Sequence, residues 1–134
     1  MRKWVSVAVA AGLFVGGMGA AVADSWRDLN LETTGAKFDG QYGWEPKDKN
    51  HGAFRFRGML RDDKAGDGHN VYIQAKVQGY GWSRFNGVQR KDVYVDQQVF
   101  DGAARYATDA EIRVCRDRGS LRPDNCSPTR SFIR

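Results

Sequence analysis

The sequence predicts an all-β chain, an antiparallel β-sandwich or small barrel with one disulfide, and three observations carry that expectation. Apolar residues recur at every second position in four separate runs, turn-forming residues stand between those runs, and the two cysteines lie close together near the C-terminus. The alternation matters because successive side chains of a strand point to opposite faces, so a period of two marks a sheet with one buried side.

The chain starts with a segment of another kind. Arg2 and Lys3 give a positive start, an apolar run covers residues 4–15, and small residues lead to Ala21-Val22-Ala23 before Asp24. Charge, apolar middle and Ala-x-Ala exit are what signal peptidase requires, so residues 1–23 read as a secretory leader and residues 24–134 as a single secreted β domain. Residues 4–23 are just long enough to cross a bilayer, but their second half is rich in Gly and Ala and no basic cluster follows directly. Cleavage is therefore expected, leaving no stable membrane anchor.

Within the mature part, Leu29 and Leu31 alternate with Asn30 and Glu32 and suggest a first strand. Phe54, Phe56 and Leu60 then alternate with Arg55, Arg57 and Met59. Val71, Ile73, Ala75 and Val77 oppose Tyr72, Gln74 and Lys76, and Val93, Val95 and Val99 oppose Tyr94, Asp96 and Gln98, with Gln97 out of pattern. Ala110, Ile112 and Val114 oppose Glu111, Arg113 and Cys115, although residues 108–118 would also tolerate a helix. Residues 129–134 can add a last strand. Polar connections at 62–70, at 83–91 with its Asn86-Gly87 pair, and at Asp101-Gly102 separate the runs. Short strands at this spacing suit a sandwich or barrel, but alternation alone does not give their order.

Cys115 and Cys126 enclose a turn-rich segment containing Gly119, Pro123, Asp124 and Asn125. An even count in an exported chain argues for a bridge, and closing so short a loop stabilises by roughly 3 kcal/mol. The spacing makes a poor zinc site and is not that of a Cys-x-x-Cys redox pair.

Charge narrows the partners. Arg2 and Lys3 leave with the leader, so 19 of the 21 basic residues remain against 16 acidic ones, about +3. Arg and Lys are interspersed with Asp rather than clustered, so no nucleic-acid partner is expected. No metal or cofactor is implied. The Asp-rich turn at 62–70 has Ala65 at a ligand position and Gln74 where the helical calcium loop requires Glu.

The candidate binding residues are aromatic. Tyr-Gly-Trp occurs twice, as Tyr42-Gly43-Trp44 and Tyr80-Gly81-Trp82, and in extended chain each pair of rings shares a face. Tyr80 and Trp82 are read as continuing the polar face of Tyr72, Gln74 and Lys76. Rings beside amides and hydroxyls form a surface that stacks on a sugar or anchors a protein, although small domains also use such rings to close a core. No nucleophile elbow, phosphate loop or dinucleotide fingerprint is present. His69, Glu111 and Arg113 supply residue types a small nuclease needs without a spacing signature. Asp92 and Asp96 are expected on one strand face.

The stretch Ile112-Arg113-Val114-Cys115-Arg116-Asp117, followed by Pro123-Asp124-Asn125-Cys126-Ser127, is similar to the end of many small exported one-disulfide proteins of actinobacteria. That resemblance, with the Ala-rich leader and Gly-rich strands, implies an exported, β-rich, disulfide-bonded protein and no particular activity. The reading that follows is a secreted, non-catalytic binding or surface-associated module, contacting extracellular glycan or protein through Tyr72, Gln74, Tyr80, Trp82, Tyr42 and Trp44. The alternatives are an inhibitor presenting the 115–126 loop with Arg118, Leu121 or Arg122, and a small secreted hydrolase.

Overall fold

The computed structural model describes residues 26–64, 66, 68–103 and 106–134 of the 134-residue chain; the predicted leader lies outside them, as do Ala65 and Asp67 of the Asp-rich turn. Among the described residues the strands are β1 (Arg27–Thr33), β2 (Ala36–Trp44), β3 (Phe54–Asp62), β4 (Val71–Val77), β5 (Ser83–Asn86), β6 (Asp92–Val99), β7 (Asp109–Arg116), β8 (Asn125–Cys126) and β9 (Arg130–Ile133). They form two antiparallel sheets, one ordered β1-β2-β3-β6 and the other β5-β4-β7, with β8 and β9 both on the far side of β7. The molecule is a β-sandwich.

The alternation read from the sequence sets the core. Leu29, Leu31, Phe38, Phe54, Phe56 and Leu60 of the first sheet face Val71, Ile73, Ala75, Ile112 and Val114 of the second, all of them buried. Full burial of a large apolar side chain contributes about 2–3 kcal/mol, so the three fully buried phenylalanines, Phe38, Phe54 and Phe56, are central to stability. Phe38 meets Phe56 edge-on at 6.4 Å, and Phe56 meets Phe85 from the opposite sheet at 5.6 Å. Such offset arrangements suit the ring quadrupoles.

Residues 109–116 are strand, not helix, because Ala110, Ile112 and Val114 all reach the core at a period of two. Three strands were not foreseen. In β2 the inward series Ala36, Phe38, Tyr42, Trp44 is interrupted by Gly40. Gly40 sits opposite Gly58 of β3, so close to the neighbouring backbone that a Cβ would collide with it. Residues 83–86, read as part of a turn, form β5, whose single inward apolar residue is Phe85. The third is β8, which lies on the same side of β7 as β9, the last strand expected at 129–134, and is separated from it by residues 127–129, where Pro128 has no N–H for the ladder. Beside the break, the buried Ser127 hydroxyl accepts from the Val114 N–H at 3.1 Å, and the Ser127 N–H donates to the Val114 carbonyl at 2.8 Å.

Cys115 and Cys126 are bonded, directly opposite each other in the β7–β8 register with Cα atoms 4.0 Å apart. No helix among the described residues is long and apolar enough to cross a membrane.

Candidate binding surface

The outer face of the second sheet is built from the polar positions of β4, β5 and β7. In the β5–β4–β7 register, Asn86, Tyr72 and Cys115 form one row and Arg84, Gln74 and Arg113 the next, with Lys76 and Glu111 beyond them. Cross-strand partners share a face, so the disulfide and the predicted aromatic strand are neighbours. The two sequence candidates, aromatic face and disulfide loop, are parts of one surface.

Within it each aromatic is differently engaged. Tyr72 is only 4% exposed, its ring lies 3.6 Å beneath the Arg84 guanidinium, and its hydroxyl donates to the Asp124 carboxylate of the loop. Burial, and then the hydrogen bond to Asp124, pushes the Tyr72 phenol up to about 12. Gln74 accepts from Arg113 Nε at 2.8 Å. Trp82 is faced by the Arg113 guanidinium at 4.3 Å and the Lys76 ammonium at 4.7 Å, both within cation–π reach.

One expectation is corrected by the turn chemistry. β4 ends at Val77, where Gly79 adopts φ +87° and the Tyr80 N–H closes a turn on the Val77 carbonyl at 3.1 Å. Left-handed backbone is open to glycine at little cost. The chain therefore reverses, leaving Tyr80 in the bend, half exposed, while Trp82 returns beside β4 instead of extending it. Tyr80 donates to Asp101, which raises its phenol pKa.

Tyr42 and Trp44 are elsewhere. Both belong to β2 and pack against the core from its inner face, Tyr42 stacked on Phe132 at 3.9 Å and Trp44 edge-on to Phe54 at 5.2 Å. They close the sandwich and share no surface with Tyr72 and Trp82.

The loop is held at many points. Asp117 pairs with Arg84 at 2.9 Å and accepts from the Gly119 N–H at 2.8 Å; the latter bond, and then Arg84, holds its carboxyl below the ordinary value. Asp124 accepts from the Arg118 N–H at 3.0 Å, and the Asn125 side-chain oxygen receives Arg118 Nη1 at 2.7 Å and Arg116 Nη2 at 3.2 Å. At the tip, Leu121 is 95% exposed, and Arg122 beside it is also exposed.

The residues considered for hydrolysis are not assembled. Glu111 pairs with Lys76 at 3.3 Å, whereas His69 directly precedes Asn70, whose carbonyl accepts from the Asp117 N–H at 2.9 Å, beyond Arg116 at the other end of β7. Five residues of strand, about 17 Å, separate Arg116 from Glu111. Asp92 and Asp96 do share the outer face of the first sheet, each bound to an arginine, Arg61 at 2.6 Å and Arg55 at 2.7 and 2.8 Å. No group of three or more metal-ligating side chains occurs among the described residues.

No family model matches this chain, and no curated protein or solved structure is similar to it.

One buried acid was missed. Glu45, next after Trp44, is 2% exposed and stands 3.7 Å from Arg55 Nη1 and 3.4 Å from Lys49 Nζ. Its only sequence signal is a charged residue between an inward Trp and a Pro, and burial at the end of a strand does not show in periodicity.

Proposed function

We propose that this chain is a secreted, non-catalytic binding module that grips an extracellular protein with the 115–126 loop and the adjoining outer face of the second sheet. The observation that carries the reading is Leu121, a large apolar side chain 95% exposed on a loop tied by the disulfide, Tyr72, Arg84 and three internal hydrogen-bonded side chains. A loop already ordered before contact loses little conformational entropy on binding, so an apolar tip contributes more of its burial to affinity. Arg122 beside it, with Arg84 and Arg113 on the sheet, supplies a side-chain type that, with Trp and Tyr, is enriched at energetic centres of interfaces. Inhibition of another secreted protein is one form such binding would take.

A protein partner is favoured over a glycan because the rings are not bare. Tyr72 is covered by Arg84, and Trp82 is faced by two cations, whereas sugar stacking requires an open ring face. The test is adsorption of the purified, oxidised mature domain to isolated cell envelope and to common polysaccharides, at low and high salt. Adsorption lost on protease treatment of the envelope and in Leu121→Asp supports the reading. Adsorption that survives both and disappears in Trp82→Ala would transfer the site to the aromatic face and its ligand to a glycan.

A further inference from the structure

The end of the second sheet farthest from the loop carries an open groove on its outer face. Strand register sets Lys76, Glu111 and Ser131 in one outward row of β4, β7 and β9, and Asp109 and Ile133 in the next. These residues, with Tyr80 of the turn after β4, border a groove of about 410 Å³. Two large apolar side chains stand at it with little cover, Tyr80 half exposed and Ile133 85% exposed. Asp109 accepts the Gln78 N–H at 3.1 Å and has no ion pair among the described residues.

The loop at the opposite end of β7 offers the complement. Leu121 projects into solvent, and Arg122 beside it is exposed and has no ion pair among the described residues. An apolar side chain followed by a cation matches a groove that sets Tyr80 and Ile133 beside an unpaired carboxylate. The loop rises on the same side of the sheet as the groove, because the side chains that anchor it, Arg84 on Asp117 and Tyr72 on Asp124, both stand on the outer face. Tip and groove do not meet within one molecule, since β7 lies between them and spans about 23 Å from Asp109 to Arg116.

Between two copies they meet twice. A two-fold axis that crosses β7 at Ile112 turns one outer face end for end over the other, so each tip stands over the groove of the other copy. The same rotation sets Arg113 of one copy opposite Glu111 of the other, because these outward residues lie one position either side of Ile112. An axis running along β7 would instead bring loop onto loop and Arg113 onto Arg113, and like charges repel. Charge therefore selects the end-for-end arrangement.

We infer that two copies of this chain dock through the outer faces of their second sheets, with Leu121 and Arg122 of each in the Tyr80–Asp109–Ile133 groove of the other. The inference does not rest on the extracellular partner proposed above; a dimer covers the tip, so the two compete for it. One sheet face and a loop make a small interface, so a dissociation constant of about 10–100 µM is expected. Sedimentation velocity of the oxidised mature domain, from about 1 µM to 1 mM, should show monomer giving way to dimer. Leu121→Asp should weaken association at least about tenfold, and so should Asp109→Asn, which keeps an oxygen to accept from the Gln78 N–H. Arg122→Asp should do the same, and combining it with Asp109→Lys should restore association to within about threefold of the parent. Monomer at every concentration, a dimer indifferent to Leu121→Asp, or a double variant no tighter than Arg122→Asp alone overturns the inference. Envelope adsorption is read separately at about 1 µM, where the chain is monomeric. A dimer without adsorption upholds this inference and removes the other reading, and adsorption without a dimer does the reverse.

Discussion

The tripeptide Tyr-Gly-Trp occurs twice, and the two copies have opposite fates. Tyr42-Gly43-Trp44 lies inside β2, where unbroken extended backbone puts both rings on one face, here the inner one against Phe54 and Phe132. Tyr80-Gly81-Trp82 follows Gly79, so the backbone turns between β4 and β5, one ring is left in the bend, and the other joins the outer face among cations. The same three residues make a core plug in one place and a surface in the other. What differs is the residue before them and whether an opposite sheet is there to cover them.

The comparison breaks most readily at the tryptophans. Trp44→Ala removes a ring packed on Phe54 and beneath Arg134, and should lower unfolding free energy by about 3 kcal/mol in urea titration. Trp82→Ala loses two partly solvated cation–π contacts and should cost under about 1 kcal/mol. Equal losses would mean that the second copy is also structural, and the distinction between core and surface copies would fail.

Replacing Cys115 and Cys126 together by Ala sharpens the contrast from the side of the second sheet. The bridge closes a short loop between adjacent strands, so its loss should cost about 3 kcal/mol. Local opening should concentrate in β8 and the 115–126 loop, leaving amides of β2 and β3 protected in hydrogen exchange. Uniform loss of protection would instead make the bridge a support of the whole sandwich.

How much of this was legible follows from the same physics. The strands containing Val71–Val77 and Ala110–Val114 declare themselves because one face is buried without interruption, and β3 does so through Phe54, Phe56 and Leu60 although Gly58 interrupts its inward face. β2 does not, because Gly40 occupies an inward position where the β3 backbone comes too close for any side chain. β5 offers one inward apolar residue, and β8 is held by the disulfide and Ser127 rather than by its own pattern. Of the candidate residues, Tyr72 and Gln74 share a face because alternation fixes it, whereas Trp82 joins that face only because the chain turns back at Gly79. The burial of Tyr72 under Arg84 and the position of Tyr42 and Trp44 depend on sheet order, which alternation does not encode. Glu45 was hidden for the same reason: its partners Arg55 and Lys49 come from β3 and the turn after β2.

The smallest effect concerns Tyr72, the residue that joins the second sheet's face to its loop. Its folded-state phenol is raised to about 12 from 10.0, first by burial and then by the bond to Asp124. A raised pKa means the protonated phenol is favoured in the folded chain, so this contribution is whole below pH 10 and is lost as pH rises through 12. Tyr72→Phe should cost about 1.5 kcal/mol at neutral pH, through the lost hydrogen bond to a carboxylate, and should flatten the decline in stability above pH 10. Tyr80→Phe supplies the background, because Tyr80 is shifted in the same direction by Asp101 but is not buried. Urea titrations of the three proteins across that alkaline range distinguish the cases. If Tyr72→Phe declines as steeply as the parent, the phenol does not tie the loop to the sheet, and the rigidity invoked for Leu121 must come from the disulfide and the Asp117 and Asp124 bonds alone.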